Sequence, residues 1–351
     1  MPKRNNEGQT NGPVKGDFIS PPEVEERDEP DGALPEQEEF WRPPVRFGSV
    51  PVEKEPLGWD RRRGFRKLFP QVALPFQVVE RVNFGHPKLE PNRLFWGDNL
   101  HVMRQLPSQS IDLIYIDPPF FSGRQYNVIF GDQNELRSFS DIWEGGMPGY
   151  LIWLNARLYE MKRLLKKTGS IYVHLDWHAV HYVKVEMDKI FGSGAGSTNK
   201  NSPGFRNQII WCYSGGGTPN REFPRKHDVI LWYSKSSNWK FNTAYRPYSE
   251  GTQQRGRTQV KGKYFEQGLR SEGTPVNDWW PDVKKITSPT DSEKIGYPTQ
   301  KSEALLERVI RIGSDEGDII ADFFCGGGTT AAAAQQLNRD SPDDSPGYRR
   351  R

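Results

Sequence analysis

With 351 residues and 34% hydrophobic content the chain can bury a core over one large or two modest domains. Its formal net charge of +3 is only mildly basic, compatible with a nucleic-acid partner without arguing for one. No apolar run approaches the ~18 residues of a membrane span, no apolar signal core opens the chain, and Cys212 and Cys325 show neither a pairing pattern nor metal-ligand spacing. These features point away from a membrane protein or a disulfide-built one, and toward a soluble protein of a reducing cytoplasm.

Residues 1–70 are poor in aliphatics and rich in Pro, Glu, Asp, Arg and Gly, so burial cannot offset the entropy of ordering them, and they read as a mostly disordered leader. Basic clusters stand at Arg61, Arg62, Arg63, Arg66 and Lys67, and again at Arg255, Arg257, Lys261 and Lys263; a solvated surface explains either cluster alone equally well. From Arg93 strand-like and helix-like segments alternate, as in an α/β sheet with crossover helices. Arg93 to Gly97 reads as a short strand. Asp98 can cap a helix carrying Leu100, Met103 and Leu106, and Ile111 to Ile116 reads as a buried parallel strand running into Asp117.

A helix is predicted over Tyr150 to Lys167 from the spacing of Leu151, Leu154, Leu158, Met161 and Leu165, and another over Trp177 to Ile190. Strands are predicted at Ile171 to Leu175, Gln208 to Tyr213 and Val229 to Tyr233. Beyond Ser234 the periodicity fades into an irregular, polar insertion in which Trp279 and Trp280 are expected to pack the module. A helix with Leu305, Leu306, Val309 and Ile310, ending at Gly313, then precedes a strand from Asp318 to Phe324 and a helical run from Ala331 to Leu337.

Two stretches carry chemistry. Asp117-Pro118-Pro119-Phe120 follows a buried strand. An exocyclic amine is a poor nucleophile because its lone pair is delocalised; a carboxylate and a proline-stiffened backbone carbonyl can accept both its N–H groups and turn the lone pair outward, with Phe120 stacking on the ring. A base handled this way must first leave its duplex. Taken alone, the tetrapeptide is equally a turn after a strand. In Asp322 to Thr330 a strand enters a glycine-rich turn and then a helix. It is neither the dinucleotide fingerprint nor a phosphate loop, and it suits a zwitterionic amino-acid tail, with Asp322 for the ammonium and N–H groups at the helix start for the carboxylate. His174, Asp176 and His178 invite a metal reading, but they straddle a strand and the next helix, and this chemistry requires no metal.

The two motifs, with Gly97-Asp98-Asn99-Leu100, Gly169 to Asp176 and Tyr297-Pro298-Thr299-Gln300-Lys301 between and around them, make the chain resemble the S-adenosylmethionine-dependent amino-methyltransferases of DNA. The order, catalytic strand first and cofactor loop last, is that of the permuted beta class, especially the modification subunits related to type III restriction systems. The resemblance implies a Rossmann-like methyltransferase sheet, permuted, with an inserted target-recognition segment. It divides the chain into a leader (1–70), a catalytic half (71–233), a recognition insertion (234–295), a cofactor-binding half (296–337) and an irregular tail (338–351). Asp117, Pro118, Pro119 and Phe120 would be catalytic; Asp98, Thr299, Lys301, Asp322, Phe324, Gly326, Gly328 and Thr329 would bind S-adenosyl-L-methionine; no metal is implied. The leading Asp of the tetrapeptide is similar to adenine-N6 enzymes. Arg246, Arg255, Arg257, Lys261 and Lys263, with Tyr245, Tyr248 and Tyr264, would grip double-stranded DNA from the insertion. A restriction subunit and a second copy of the chain are the implied protein partners.

Phe323 and Ser302 stand where the family usually has Pro. After Leu337 the family continues into a strand ending in an acidic residue that holds the cofactor ribose, whereas Asn338 to Tyr348 is turn-forming. The resulting expectation is an incomplete C-terminus, truncated or frame-shifted, with impaired cofactor binding and an open sheet edge. That leaves two rival readings: a DNA-binding remnant without turnover, and a methyltransferase acting on cytosine N4, RNA or a protein amide.

Overall fold

Asp98 accepts a hydrogen bond from Leu100 N at 2.8 Å and caps helix α1 (Asn99–Gln105). The apolar run that follows becomes strand β1 (Ile111–Ile116), buried along its whole length. A hairpin of β2 (Gln125–Ile129) and β3 (Leu136–Ser140) leads to helix α2 (Gly146–Leu164), strand β4 (Leu165–Leu175) and helix α3 (Val180–Phe191). Strands β5 (Gly204–Cys212) and β6 (His227–Ser234) come next, then the short pieces β7 (Tyr245–Arg246), α4 (Glu250–Gly256), β8 (Thr274–Pro275) and β9 (Trp279–Trp280). Helix α5 (Glu303–Gly313), strand β10 (Ile320–Ala321) and helix α6 (Thr329–Gln336) follow. The structure, a computed structural model, describes residues 75–80, 92–123, 125–129, 136–140, 143, 145–194, 202–215, 217, 219–256, 269–286 and 291–337.

The main sheet has the order β10-β1-β4-β6-β5-β9, and only β6 runs antiparallel to its neighbours. Alternation along β1 divides the core between two faces. Ile114 and Ile116 pack with Leu100, Leu158, Met161 and Val183 from α1, α2 and α3, while Leu113 and Tyr115 pack with Leu305, Leu306, Val309 and Ala333 from α5 and α6. The product is a three-layer α/β/α sheet fold of the expected Rossmann-like class, covered on both faces as parallel strands require. No helix among the described residues is long and apolar enough to cross a membrane.

Several predicted boundaries are corrected. Arg93 to Gly97 forms no strand: Leu94 and Trp96 are each 85% exposed, and with no strand among the described residues to complete a ladder their apolar character does not impose one. Among the described residues β10 is therefore the sheet edge. The strand predicted from Asp318 to Phe324 shrinks to Ile320–Ala321, because Asp318 turns to Lys240 and to the N–H of Asp315 while Asp322 folds back onto Phe324 N. The predicted helix through Lys167 stops at Leu164, where β4 begins beside β1. Within the insertion β9 lies parallel to β5 in the main sheet, so Trp280 is buried in the core while Trp279 stays half exposed. Leader residues 1–70, the basic clusters at 61–67 and 257–263, Tyr264 and the tail at 338–351 lie outside the described residues, as does the side chain of Arg255.

The junction between α3 and β5 is unusually tight. Gly204 has φ +109°, and a Cβ there would lie 2.1 Å from the carbonyl oxygen of Gly192, a backbone atom with no freedom to yield. Gly204→Ala should destabilise the fold by about 1–3 kcal/mol from backbone strain alone, read as a lowered urea midpoint with an unchanged slope. An unchanged midpoint would show that this junction does not support the sheet.

Candidate active site

β1 and β10 are parallel neighbours, with Ile114 opposite Ala321, so the residues that follow each strand leave the sheet at the same edge. Asp117 and Asp322, far apart in sequence, thus line one cleft of about 790 Å³. Ligand sites in open α/β sheets lie at such carboxyl ends. Pro118, Pro119, Phe120, Thr299, Lys301, Phe324, Gly326 and Thr329 also line it; Asp98 and Gly328 do not.

The chain turns sharply after the tetrapeptide. Phe121 has φ +64°, a conformation costly for a bulky L-residue and one that concentrates where function demands a particular geometry. Lys301 Nζ sits 2.5 Å from Asp117 Oδ2 and 5.1 Å from the centre of the Phe120 ring. Asp117 Oδ1 is buried and has no hydrogen-bond partner among the described residues. An acceptor left bare in a cleft costs free energy that only a donor from outside can recover.

Asp322 is half-exposed as a residue but turns its carboxyl inward, accepting from Phe324 N at 2.9 Å and from the Thr330 hydroxyl at 2.5 Å. Burial pushes this carboxyl up to about 7, against the lowering effect of those two donors; nearby Asp117 raises it further and Lys301 lowers it. The loop beyond it packs against Tyr297: a Cβ on Gly326 would come within 3.1 Å of that ring, a tight contact, and the backbone there has φ +50°, a conformation that favours glycine.

A second support is Arg157, buried on α2. Its guanidinium donates to Asp98 Oδ2 and Asn99 Oδ1, both at 2.7 Å, and Asn99 Nδ2 donates to the carbonyl of Phe323 at 2.8 Å. Burial lowers the Arg157 guanidinium to about 10 although Asp98 opposes the shift, so it stays charged at neutral pH. Asp98 and Asn99 therefore shape the glycine loop from outside the cleft. Trp153 adds packing, with Phe324 at 5.6 Å between ring centres and Arg157 over its face at 4.1 Å. Sequence reading overlooked Arg157, although a charged residue on the apolar stripe of a helix was the available signal.

It also overlooked a buried polar chain. Tyr115 Oη lies 2.8 Å from His174 Nδ1, His174 Nε2 lies 3.1 Å from Asp228 Oδ2, and Tyr213 donates to Asp228 Oδ1 at 2.9 Å. The clue was a histidine inside an otherwise apolar strand. His178 has a different partner, Asp176 Oδ2 at 2.7 Å, and its ring stacks on Trp177, over which Arg225 lies at 4.3 Å. Among the described residues no three His, Cys, Asp or Glu side chains are grouped to hold a metal ion. Cys212 and Cys325 are free thiols. Arg225, Lys285 and Lys294 give the cleft a basic rim, whereas Tyr245 and Arg246 lie in the small β7–β8 pair.

Asp117, the Phe120 ring and the glycine loop line one cleft, and the chain is similar to known proteins. DNA adenine methyltransferase YhdJ of Escherichia coli (strain K12) is 27% identical over 259 residues, 73% of this chain and 77% of that protein. Type II methyltransferase M.BglII of Bacillus subtilis is 27% identical over 260 residues, 72% of this chain and 65% of that one. The solved M1.HpyAVI–SAM complex is 19% identical, covering 70% of this chain and 87% of its own with a TM-score of 0.41. The sequence pattern of the DNA methylase (N6_N4_Mtase) family matches residues 111–341, from the first residue of β1 past the end of α6. By that match, which takes in both motifs, the chain belongs to the DNA methylase family.

Proposed function

We propose that this protein transfers a methyl group from S-adenosyl-L-methionine to the N6 amine of adenine at a specific site in double-stranded DNA, using the permuted beta-class order of motifs. The observation that carries the reading is the buried Asp117 Oδ1, without a partner among the described residues, on a side chain that lines the cleft shared with the glycine loop. Adenine is supported by the leading Asp of the tetrapeptide and by the printed name of YhdJ. A restriction subunit and a second copy of the chain are the proposed protein partners, and the cytoplasm the proposed compartment.

The donor suits the residues present. Asp322 offers a carboxylate for its ammonium, the loop at Gly326 is free of side-chain bulk, and Phe324 lines the same cavity. Thr299, Lys301 and Thr329 complete this side, while Asp98 and Gly328 act by capping α1 and α6. When bound, S-adenosyl-L-methionine supplies an electrophilic methyl carbon on its sulfonium.

The protein's task is to make a weak nucleophile attack. Lys301 holds Asp117 Oδ2 and leaves Oδ1 to accept one amine N–H; the Pro118 carbonyl accepts the other. With both N–H groups engaged the nitrogen is held near tetrahedral geometry and its lone pair is directed outward, so positioning supplies most of the rate. The proton shed after attack passes to Asp117 Oδ1. Phe120 stacks on the extruded base and recovers part of the few kcal/mol that extrusion costs.

Asp117→Ala should lower transfer of tritiated methyl groups to mixed plasmid DNA by about 100-fold or more, the loss typical when one preorganised polar contact is removed. Equal incorporation by both proteins would overturn the assignment, and DNA affinity without any incorporation by the unsubstituted chain would make the protein a binder rather than an enzyme.

Asp322 makes a second test. Its folded pKa of about 7 exceeds the ordinary value of 3.8, so its contribution to folding stability declines as pH rises between those values. An ammonium beside it reverses the preference and expels the proton. Affinity for S-adenosyl-L-methionine should therefore rise with pH and level off above about 7, with proton release seen by calorimetry in buffers of different ionisation enthalpy. Asp322→Asn should bind more weakly and flatten the profile; an unchanged slope would remove Asp322 from the donor site.

A further inference from the structure

The buried chain of Tyr115, His174, Asp228 and Tyr213 has no part in the reaction as described so far. His174 is fully buried on β4, and both of its ring nitrogens have partners. Its flat face carries the Phe120 ring, with centroids 5.9 Å apart and planes 27° from parallel, while Trp211 meets it edge-on at 5.5 Å and 89°. Burial, then the carboxylates of Asp117, Asp322 and Asp228, hold the Tyr115 phenol well above its ordinary range, so it stays protonated. Burial raises the Asp228 carboxyl, but His174, Lys301 and Tyr213 outweigh it and hold that carboxyl below its ordinary value.

We propose that His174 is a positioning residue for Phe120: the imidazole, held in one plane by partners on both ring nitrogens, is the floor that sets where the stacking ring stands and hence where the extruded base is held. This rests on the reading of Phe120 as the stacking platform. A histidine satisfied within a core for register alone is the plainer account, since replacing such polar groups by apolar ones is often neutral. It leaves one arrangement unexplained: Tyr115, Tyr213 and Asp228 border the same cleft as Phe120, and the His174 ring between them stacks on Phe120.

The test is a double-mutant cycle in the full chain, read as single-turnover methylation of a duplex carrying the site that the unsubstituted protein modifies. His174→Gln keeps a donor and an acceptor but removes the flat face. Alone it should slow methylation by about 10- to 100-fold, as expected for a misplaced reacting group, and leave the S-adenosyl-L-methionine dissociation constant within about 2-fold. In a Phe120→Ala background the same substitution should cost less than about 2-fold, because the residue it positions is gone. A full, additive loss in that background overturns the proposal, as does an undiminished rate in the single variant. Should His174→Gln fail to fold, Tyr115→Phe, which removes only the hydroxyl partner of Nδ1, takes its place in the cycle with the same expected non-additivity. Absence of methylation by the unsubstituted chain would sink the proposed reaction and this inference with it, whereas additivity in an active protein sinks the positioning role alone.

Discussion

The site depends on the parallel pairing of β10 with β1. Its ladder is two residues long, too short to hold by itself, and it is reinforced by a buried carboxylate: Asp112 accepts from Ile319 N at 3.1 Å and pairs with Lys166 at 2.6 Å, while its own N–H donates to the Ile319 carbonyl at 3.0 Å. Helices α5 and α6 close over the same joint with Leu305, Val309 and Ala333. If the register shifted by one residue, Asp322 would turn to the opposite face of the sheet from Asp117. A salt-bridged aspartate inside an apolar strand is costly to bury, and its return is a defined register where the chemistry requires one.

Of the four aspartates that line the resulting cleft, Asp117, Asp228 and Asp322 are each held by different means. Asp117 has an ammonium on one oxygen and no partner among the described residues on the other; Asp228 is held by an imidazole and a phenol; Asp322 is held by a hydroxyl and a backbone N–H. These partners separate their roles. Full satisfaction makes Asp228 a structural anchor, a missing partner makes Asp117 an acceptor, and neutral donors in a buried position leave Asp322 close to titration near neutrality.

The loops that carry these acids are not free-standing. Tyr297 presses on Gly326, Asn99 holds the carbonyl of Phe323, and Trp153 packs on Phe324, so elements from three distant parts of the chain shape one glycine turn. His174 stands in the same relation to Phe120. Side chains lining the cleft are thus placed by packing from residues distant in the chain.

Local chemistry made much of this protein legible in its sequence. Continuous apolar residues mark β1, 3.6-residue periodicity marks α2 and α5, Asp98 marks a helix start, and the two motifs at Asp117 and Asp322 identify the chemistry, because each signal is carried by residues adjacent in the chain. Where the outcome depended on a partner strand, sequence reading failed: Arg93 to Gly97 has strand-like residues but no strand paired with it among the described residues, and Trp279–Trp280 has only two residues but finds β5. The same limit applies to the site. Asp117 and Asp322 could be named from their motifs, but their sharing of one cleft, the bare oxygen of Asp117, the high pKa of Asp322 and the imidazole beneath Phe120 were decided only by tertiary structure, since burial and hydrogen bonding are properties of what the rest of the chain brings alongside.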